Sequence, residues 1–133
     1  MTGARDAAVA WAAVWQRAWE AHDVDAIVTL YDAEATFSSE PFREVYRGRA
    51  GVRAYLTAAF GTESDVRAWF AEPLVDADRA AVEWWAALRE DGEEVTLAGT
   101  SLLRFDADGL VREQRDTWNS APGRREPPPG WGR

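Results

Sequence analysis

Between residues 7 and 22 the apolar side chains recur with a helical period. Trp11, Trp15 and Trp19 stand at i, i+4 and i+8, flanked by Ala8, Ala12 and Ala18, with no Gly or Pro between them. That spacing gathers three indoles on one stripe and predicts an amphipathic helix. His22 and Asp23 close it, and Asp23 is a suitable N-cap for a short second helix over 24–31, with Ile27, Leu30 and Tyr31 inward. Residues 35–38 favour a strand, and Pro41 and Arg47-Gly48 bound a loop. A third helix is predicted over 49–60, with Val52, Tyr55, Leu56, Ala59 and Phe60 on its inner side and Gly61 as its stop. Beyond Gly61 the period drops to two. Strands are predicted over 66–71, 79–89, 95–105 and 110–118, separated by Asp76-Ala77-Asp78, Asp91-Gly92 and the turn at 106–109. Helices first and hairpins after give an α+β class: an antiparallel sheet with helices gathered on one face.

Two stretches stand apart. Residues 1–119 read as one compact unit, whereas residues 120–133 form a Pro/Gly-rich tail carrying Pro122, Pro127, Pro128, Pro129 and Trp131. Such a tail cannot bury itself. It is expected either to be disordered or to pin Trp131 onto the domain or a twin.

Composition narrows the chemistry. The chain has 133 residues, the length of one domain, with no Cys, a single His and a formal net charge of -8. Every basic residue is Arg. Without Cys there is no disulfide framework and no thiolate metal site. One His excludes a multi-histidine zinc site and disfavours a Ser-His-Asp triad. The acidic balance argues against nucleic acid and anionic membrane surfaces as partners. No apolar run approaches the ~20 residues of a membrane span, and no signal-peptide stretch opens the chain. A cytoplasmic protein without cofactor or metal is expected. Its eight Trp are more aromatic surface than a core built only for stability would use.

Particular residues then resemble a family. Trp19-Glu20-Ala21-His22-Asp23 leads to Leu30-Tyr31-Asp32-Ala33-Glu34-Ala35-Thr36-Phe37, and Tyr46-Arg47-Gly48-Arg49 precedes Val52-Arg53-Ala54-Tyr55. Leu103-Arg104-Phe105-Asp106 precedes Gly109-Leu110-Val111, and the run closes on Arg115-Asp116-Thr117-Trp118. From about Trp11 to Trp118 this resembles the SnoaL-like branch of the nuclear transport factor 2 superfamily, the cystatin-like cone. Relatives of that shape include ketosteroid isomerases, limonene epoxide hydrolases, polyketide cyclases and non-catalytic binding proteins. The resemblance implies a curved sheet around the helices, a central apolar pocket, and homodimers formed through the outer face of the sheet.

It also implies where to look for chemistry. The similar epoxide hydrolases carry an Arg-Asp-aromatic-aromatic run whose Asp lies in the pocket; here Asp116 takes that place. Val111 pairs naturally with Phe105 as core, so Asp116 has the wrong parity and faces inward only if a bulge intervenes. Glu83, in mid-strand among apolar neighbours, is the second candidate, facing either the pocket or the outer surface. The epoxide hydrolases have Arg-x-Asp at the similar place, and the Arg is missing here. If both acids faced inward they would share a proton and split their pKa values. The position of the isomerase base falls on Ser39, with Ser38 and Glu40 beside it, which disfavours steroid isomerase chemistry unless Glu40 turns inward. Tyr31, Tyr46 and Tyr55 are candidate hydrogen-bond donors, and His22 suits a helix C-terminus. Trp15, Trp19, Trp84 and Trp118 are candidate pocket walls. Trp84 and Trp85 must face opposite sides of the sheet.

Three functions remain open. The first is a cofactor-free acid–base enzyme of isomerase, cyclase or epoxide-hydrolase type acting on a small apolar molecule through Asp116 or Glu83. Tyr31, Ser39, Tyr55 and the Trp walls would bind that substrate. The second is a non-catalytic binder of an aromatic or terpenoid-like ligand. The third, and least favoured, is a dimeric structural protein with a filled cone.

Overall fold

The computed structural model describes residues 3–133. The first helix, α1, spans Ala4–Ala21 and starts earlier than its apolar pattern because Gly3 already has extended backbone and serves as N-cap. Its inner face buries Ala7, Ala8, Trp11, Ala12, Trp15, Ala18 and Trp19, the predicted stripe. His22 ends it in the left-handed region at φ 54°. The Asp23 side chain then accepts from Ala26 N–H at 3.1 Å and caps α2 (Val24–Val28).

That second helix stops short of Tyr31. Val111 N–H donates to the Leu30 carbonyl at 2.9 Å, and this draws the chain into β1 (Tyr31–Ser38). Leu30 and Tyr31 look helical in the sequence, but Val111, eighty positions beyond Tyr31, decides between the two geometries. The two-residue β2 (Tyr46–Arg47) and α3 (Gly48–Phe60) follow, α3 burying Val52, Leu56 and Phe60.

The sheet is completed by β3 (Glu63–Phe70), β4 (Leu74–Asp76), β5 (Arg79–Glu90), β6 (Glu93–Phe105) and β7 (Val111–Pro122). Its order is β2-β1-β7-β6-β5-β3, with β4 on the end of β5. All pairs are antiparallel except β1 with β7, which run parallel. The α+β reading holds, with that one parallel seam. α1 lies across β3 and β5 and α3 across β1, so the curved sheet closes around the helices. No helix among the described residues is long and apolar enough to cross a membrane.

One residue permits a close approach of two strands at the cavity wall. Gly99 on β6 pairs with Trp84 on one side and Trp118 on the other. A Cβ there would lie 2.4 Å from the Thr117 carbonyl oxygen and 2.5 Å from Trp118 Cβ. Only glycine lets β6 and β7 approach so closely between two indoles.

The last fourteen residues are not separate from the sheet. β7 continues to Pro122, and Arg125 N–H donates to Thr96 Oγ1 at 2.8 Å. Arg124 donates to the Asp65 carbonyl at 2.7 Å, and Glu72 N–H donates to the Gly132 carbonyl at 2.9 Å. The half-buried Trp131 is held beside these contacts.

Candidate functional site

The inner face of β7 carries the site. Phe105 pairs with Val111, but Arg104 pairs with Glu113, so Arg112 is an extra residue in the ladder. This bulge resets the alternation, and Val111, Gln114 and Asp116 all end up buried. Asp116 therefore faces inward by the device its parity demanded. Ser101 is its direct cross-strand neighbour on β6, and Leu103 is opposite Gln114.

A cavity of about 240 Å³ lies between this face and the helices. Asp116, Gln114, Ser101, Trp84 and Trp118 line it from the sheet. Trp11, Trp15 and Trp19 line it from α1, Tyr55, Leu56 and Phe60 from α3, and Phe37 and Phe70 from the strand edges. The α1 indoles, Phe70 and Trp84 meet in edge or tilted contacts with centroids 5.6–6.5 Å apart.

Every hydrogen bond in the polar cluster points toward Asp116. Trp84 Nε1 donates to Ser101 Oγ at 2.9 Å, and the Ser101 hydroxyl donates to Asp116 Oδ1 at 2.6 Å. On the other arm, Trp15 Nε1 (3.1 Å) and Trp11 Nε1 (3.4 Å) donate to the Tyr31 hydroxyl. Tyr31 in turn donates to Gln114 Oε1, and Gln114 Nε2 donates to Asp116 Oδ1 at 3.0 Å and Oδ2 at 3.3 Å. An indole N–H can only donate. With two indoles feeding its oxygen, Tyr31 has only its own proton to offer, and this fixes the Gln114 amide with its NH₂ toward Asp116. Trp84 orients Ser101 in the same way. Tryptophan thus sets the polarity of the whole network.

Oδ1 takes the two shortest bonds, which leaves Oδ2 as the oxygen able to exchange a proton with the cavity. Burial raises the Asp116 carboxyl to about 7, against the opposing effect of the Ser101 and Gln114 donors. Burial also raises the Tyr31 and Tyr55 hydroxyls well above the ordinary phenol value, with the Asp116 charge adding to both. Both tyrosines stay protonated.

A second carboxyl lines the cavity that the alternation of the strands does not reveal. Glu63, the first residue of β3, is pushed to about 7, chiefly by burial and against the donor Trp19. Trp19 Nε1 donates to its Oε1 at 2.8 Å. In the sequence Glu63 lies between Gly61 and a strand whose alternation starts only at Val66. The ladder shifts between Ser64 and Arg67, where Asp65 takes φ 51°, and the shift hides the earlier strand residues. Ser101 and Gln114 were also missed. Ser101 is a polar residue at an inward position of an alternating strand, the signal that would have marked it; Gln114 shares the parity of Asp116 and turns inward only through the bulge at Arg112.

Glu83 is not part of the site. Trp84 is inward, committed to Ser101, so its chain neighbour Glu83 is turned to the outer face and is exposed. The two acids do not share a proton, and the perturbation of Asp116 comes from burial. Trp85 and Trp69 are paired on the same outer face, with Arg67 4.7 Å above the Trp69 ring.

Of the other predicted positions, Trp15, Trp19, Tyr55, Trp84 and Trp118 line the cavity, as does Glu40. Tyr31 is fully buried behind Gln114 and does not line it. Ser39 is buried outside the lining, where its carbonyl accepts from Trp118 Nε1 at 2.7 Å. Tyr46 donates outward to Glu44, and His22 stacks on Phe60 with centroids 4.8 Å apart. Among the described residues no group of three or more His, Cys, Asp or Glu is placed to hold a metal.

The sequence profile of the SnoaL-like domain matches residues 12–114. A cyclase of Calcarisporium arbuscula, AurE, is 26% identical over 102 residues, covering 73% of this chain and 75% of the relative. Among solved structures, RV0760c of Mycobacterium tuberculosis superposes with a TM-score of 0.77 at 16% identity, covering 92% of this chain and 99% of that one. The epoxide hydrolase/cyclase-like enzyme SalBIII, of pyran ring formation in the polyether salinomycin, superposes at 0.74 with 19% identity, covering 90% and 95%. At these identities the structural likeness speaks for the fold.

Proposed function

The chain belongs to the SnoaL-like domain family, and on that premise we propose that its cavity is the active site of a cofactor-free acid–base enzyme in which Asp116 transfers the proton. The observation that carries this is a buried carboxyl at the cavity wall, raised by that burial to about 7 and held chiefly through Oδ1 by Ser101 and Gln114. A group that titrates near neutrality can both give and take a proton at physiological pH. The substrate is a small molecule with a largely apolar body, since half of the eighteen lining residues are aromatic. The reaction class is ring opening or closure, as the name of the cyclase suggests, and at a C–O bond, as the epoxide hydrolase/cyclase-like SalBIII of pyran ring formation suggests. Asp116 gives its Oδ2 proton to the oxygen as the C–O bond breaks. A hydroxyl of the same substrate, or water, forms the new C–O bond and returns its proton to the carboxylate. Tyr55 and the indole walls orient the substrate.

The test is turnover of a panel of small epoxides and epoxy-alcohols, followed by mass spectrometry. Wild type should convert at least one member, with kcat/KM falling as pH rises through about 7. Asp116→Asn should lower that rate about 100-fold or more. The variant is structurally conservative: the Asn oxygen still accepts from Ser101 and Gln114, and its NH₂ replaces the less engaged Oδ2. Undiminished turnover by Asp116→Asn would remove Asp116 from the chemistry. A tightly bound but unconverted panel would favour a binding protein instead.

A further inference from the structure

Four carboxyl-bearing residues line the cavity: Asp116, Glu63, Glu40 and Glu90. Among the described residues no cationic side chain does, although the chain holds fifteen Arg. Arg89, the chain neighbour of Glu90, is committed to Asp65 at 3.4 Å and Glu94 at 2.9 Å. The remaining wall is largely aromatic faces. An electron-rich wall with uncompensated carboxyls is a poor host for an anion and an indifferent one for a neutral ligand. It suits a cation, which aromatic faces attract through their quadrupoles, most strongly when water is excluded.

Glu63 gives the position. Trp19 Nε1 engages its Oε1, and among the described residues no hydrogen bond reaches Oε2. A neutral apolar ligand filling the cavity would strip water from that oxygen and leave it unpaired, which is unfavourable. A protonated amine would donate to it and place its alkyl groups on the rings of Trp19 and Trp84, whose centroids are 5.6 Å apart. Size adds a limit. Scaling from a cavity of about 150 Å³ that takes benzene, about 240 Å³ admits a molecule of roughly ten non-hydrogen atoms.

Building on the acid–base reading of the cavity, we infer that the substrate is a compact lipophilic amine, bound as its ammonium form with the N–H on Glu63 and its apolar body in the indole wall. The two carboxyls then divide the work. The ammonium holds Glu63 ionised, and Asp116 is left as the proton donor on the reacting end.

Titration calorimetry with three probes of matched shape tests this: N,N-dimethylbenzylamine, its neutral isostere isobutylbenzene, and phenylacetate. The amine should bind about tenfold or more tighter than the isostere, with phenylacetate weakest. The amine should also gain affinity from one pH unit below to one unit above the Glu63 value of about 7, because it needs the carboxylate. Glu63→Gln keeps an acceptor for Trp19 and should abolish both the preference and its pH dependence. Equal or tighter binding of isobutylbenzene overturns the inference, as does failure of all three to bind. A preference that survives Glu63→Gln overturns the seat at Glu63. Each result is separable from the acid–base reading, which stands or falls on turnover by Asp116→Asn.

Discussion

Tyr31 shows how far a single side chain can act without touching a ligand. It is wholly buried, accepts from Trp11 and Trp15, and donates to Gln114. Removing its hydroxyl leaves the indole N–H groups and the Gln114 carbonyl without their partner, a loss of about 1–3 kcal/mol. It also frees the Gln114 amide to turn over, weakening one of the two donors that hold the Asp116 carboxylate. Those donors favour the charged form, so their loss raises the Asp116 value further. Tyr31→Phe should therefore lower the melting temperature and also move the inflection of the pH–rate profile upward from about 7, with kcat affected more than KM. A purely structural role would lower stability and leave the inflection in place. At this scale the sequence was partly legible. Asp116 stood out because a familiar run surrounds it, and the Trp walls because of their spacing. Tyr31 was legible as important but not as a positioning residue, because its partners lie on α1 and β7. Glu83 stayed a second candidate, facing either side, until the direction of Trp84 was known.

The elements explain why parity misled and where it did not. α1, α3, β5 and β6 follow unbroken periods, and their residues fall where the pattern puts them. The exceptions are places where pairing overrides local pattern: Leu30-Tyr31 leaving α2 for β1, the shift at Asp65 in β3, and Arg112 in β7. A bulge adds one residue and inverts every later position, so its presence is a tertiary fact that a one-dimensional alternation cannot contain. Gly99 is the opposite case, an irregular residue inside a regular strand. Its substitution by Ala would drive a Cβ into Thr117 and Trp118, with the ~1–3 kcal/mol penalty of overpacking. Gly99→Ala should also part β6 from β7 where Trp118 anchors the loop through the Ser39 carbonyl. A measurable signature is faster hydrogen exchange at 39–45 together with a lower melting temperature. A change in melting temperature alone, with 39–45 unaffected, would mean that the bend and the anchor are independent.

On the scale of the whole molecule the fold was legible because hairpin order and a run of matched motifs define it redundantly, whereas the electrostatic character of its interior was not. A net charge of -8 reads as solvated surface until the structure shows that two of the carboxyls lining the cavity, Asp116 and Glu63, are raised by burial. Their burial makes stability depend on pH in a stated direction. Asp116 rises from its ordinary 3.8 and Glu63 from 4.5, each to about 7 in the folded chain. Between these limits the folded state binds more protons than the unfolded state, so unfolding free energy falls as pH rises. Below about 4 both groups are protonated in both states and contribute nothing; above about 7 the loss is complete. For Asp116 alone it amounts to a few kcal/mol, on the order of 10 °C in melting temperature for a chain of this length. The isosteric Asp116→Asn has no charge to bury. Its melting temperature relative to wild type should change little up to pH 4, climb from pH 4 to 7 and then hold constant, while its turnover is lost. A difference that is flat with pH would show that the carboxyl ionises inside the cavity without penalty, and the site would then have no reserve of proton affinity to spend on a substrate.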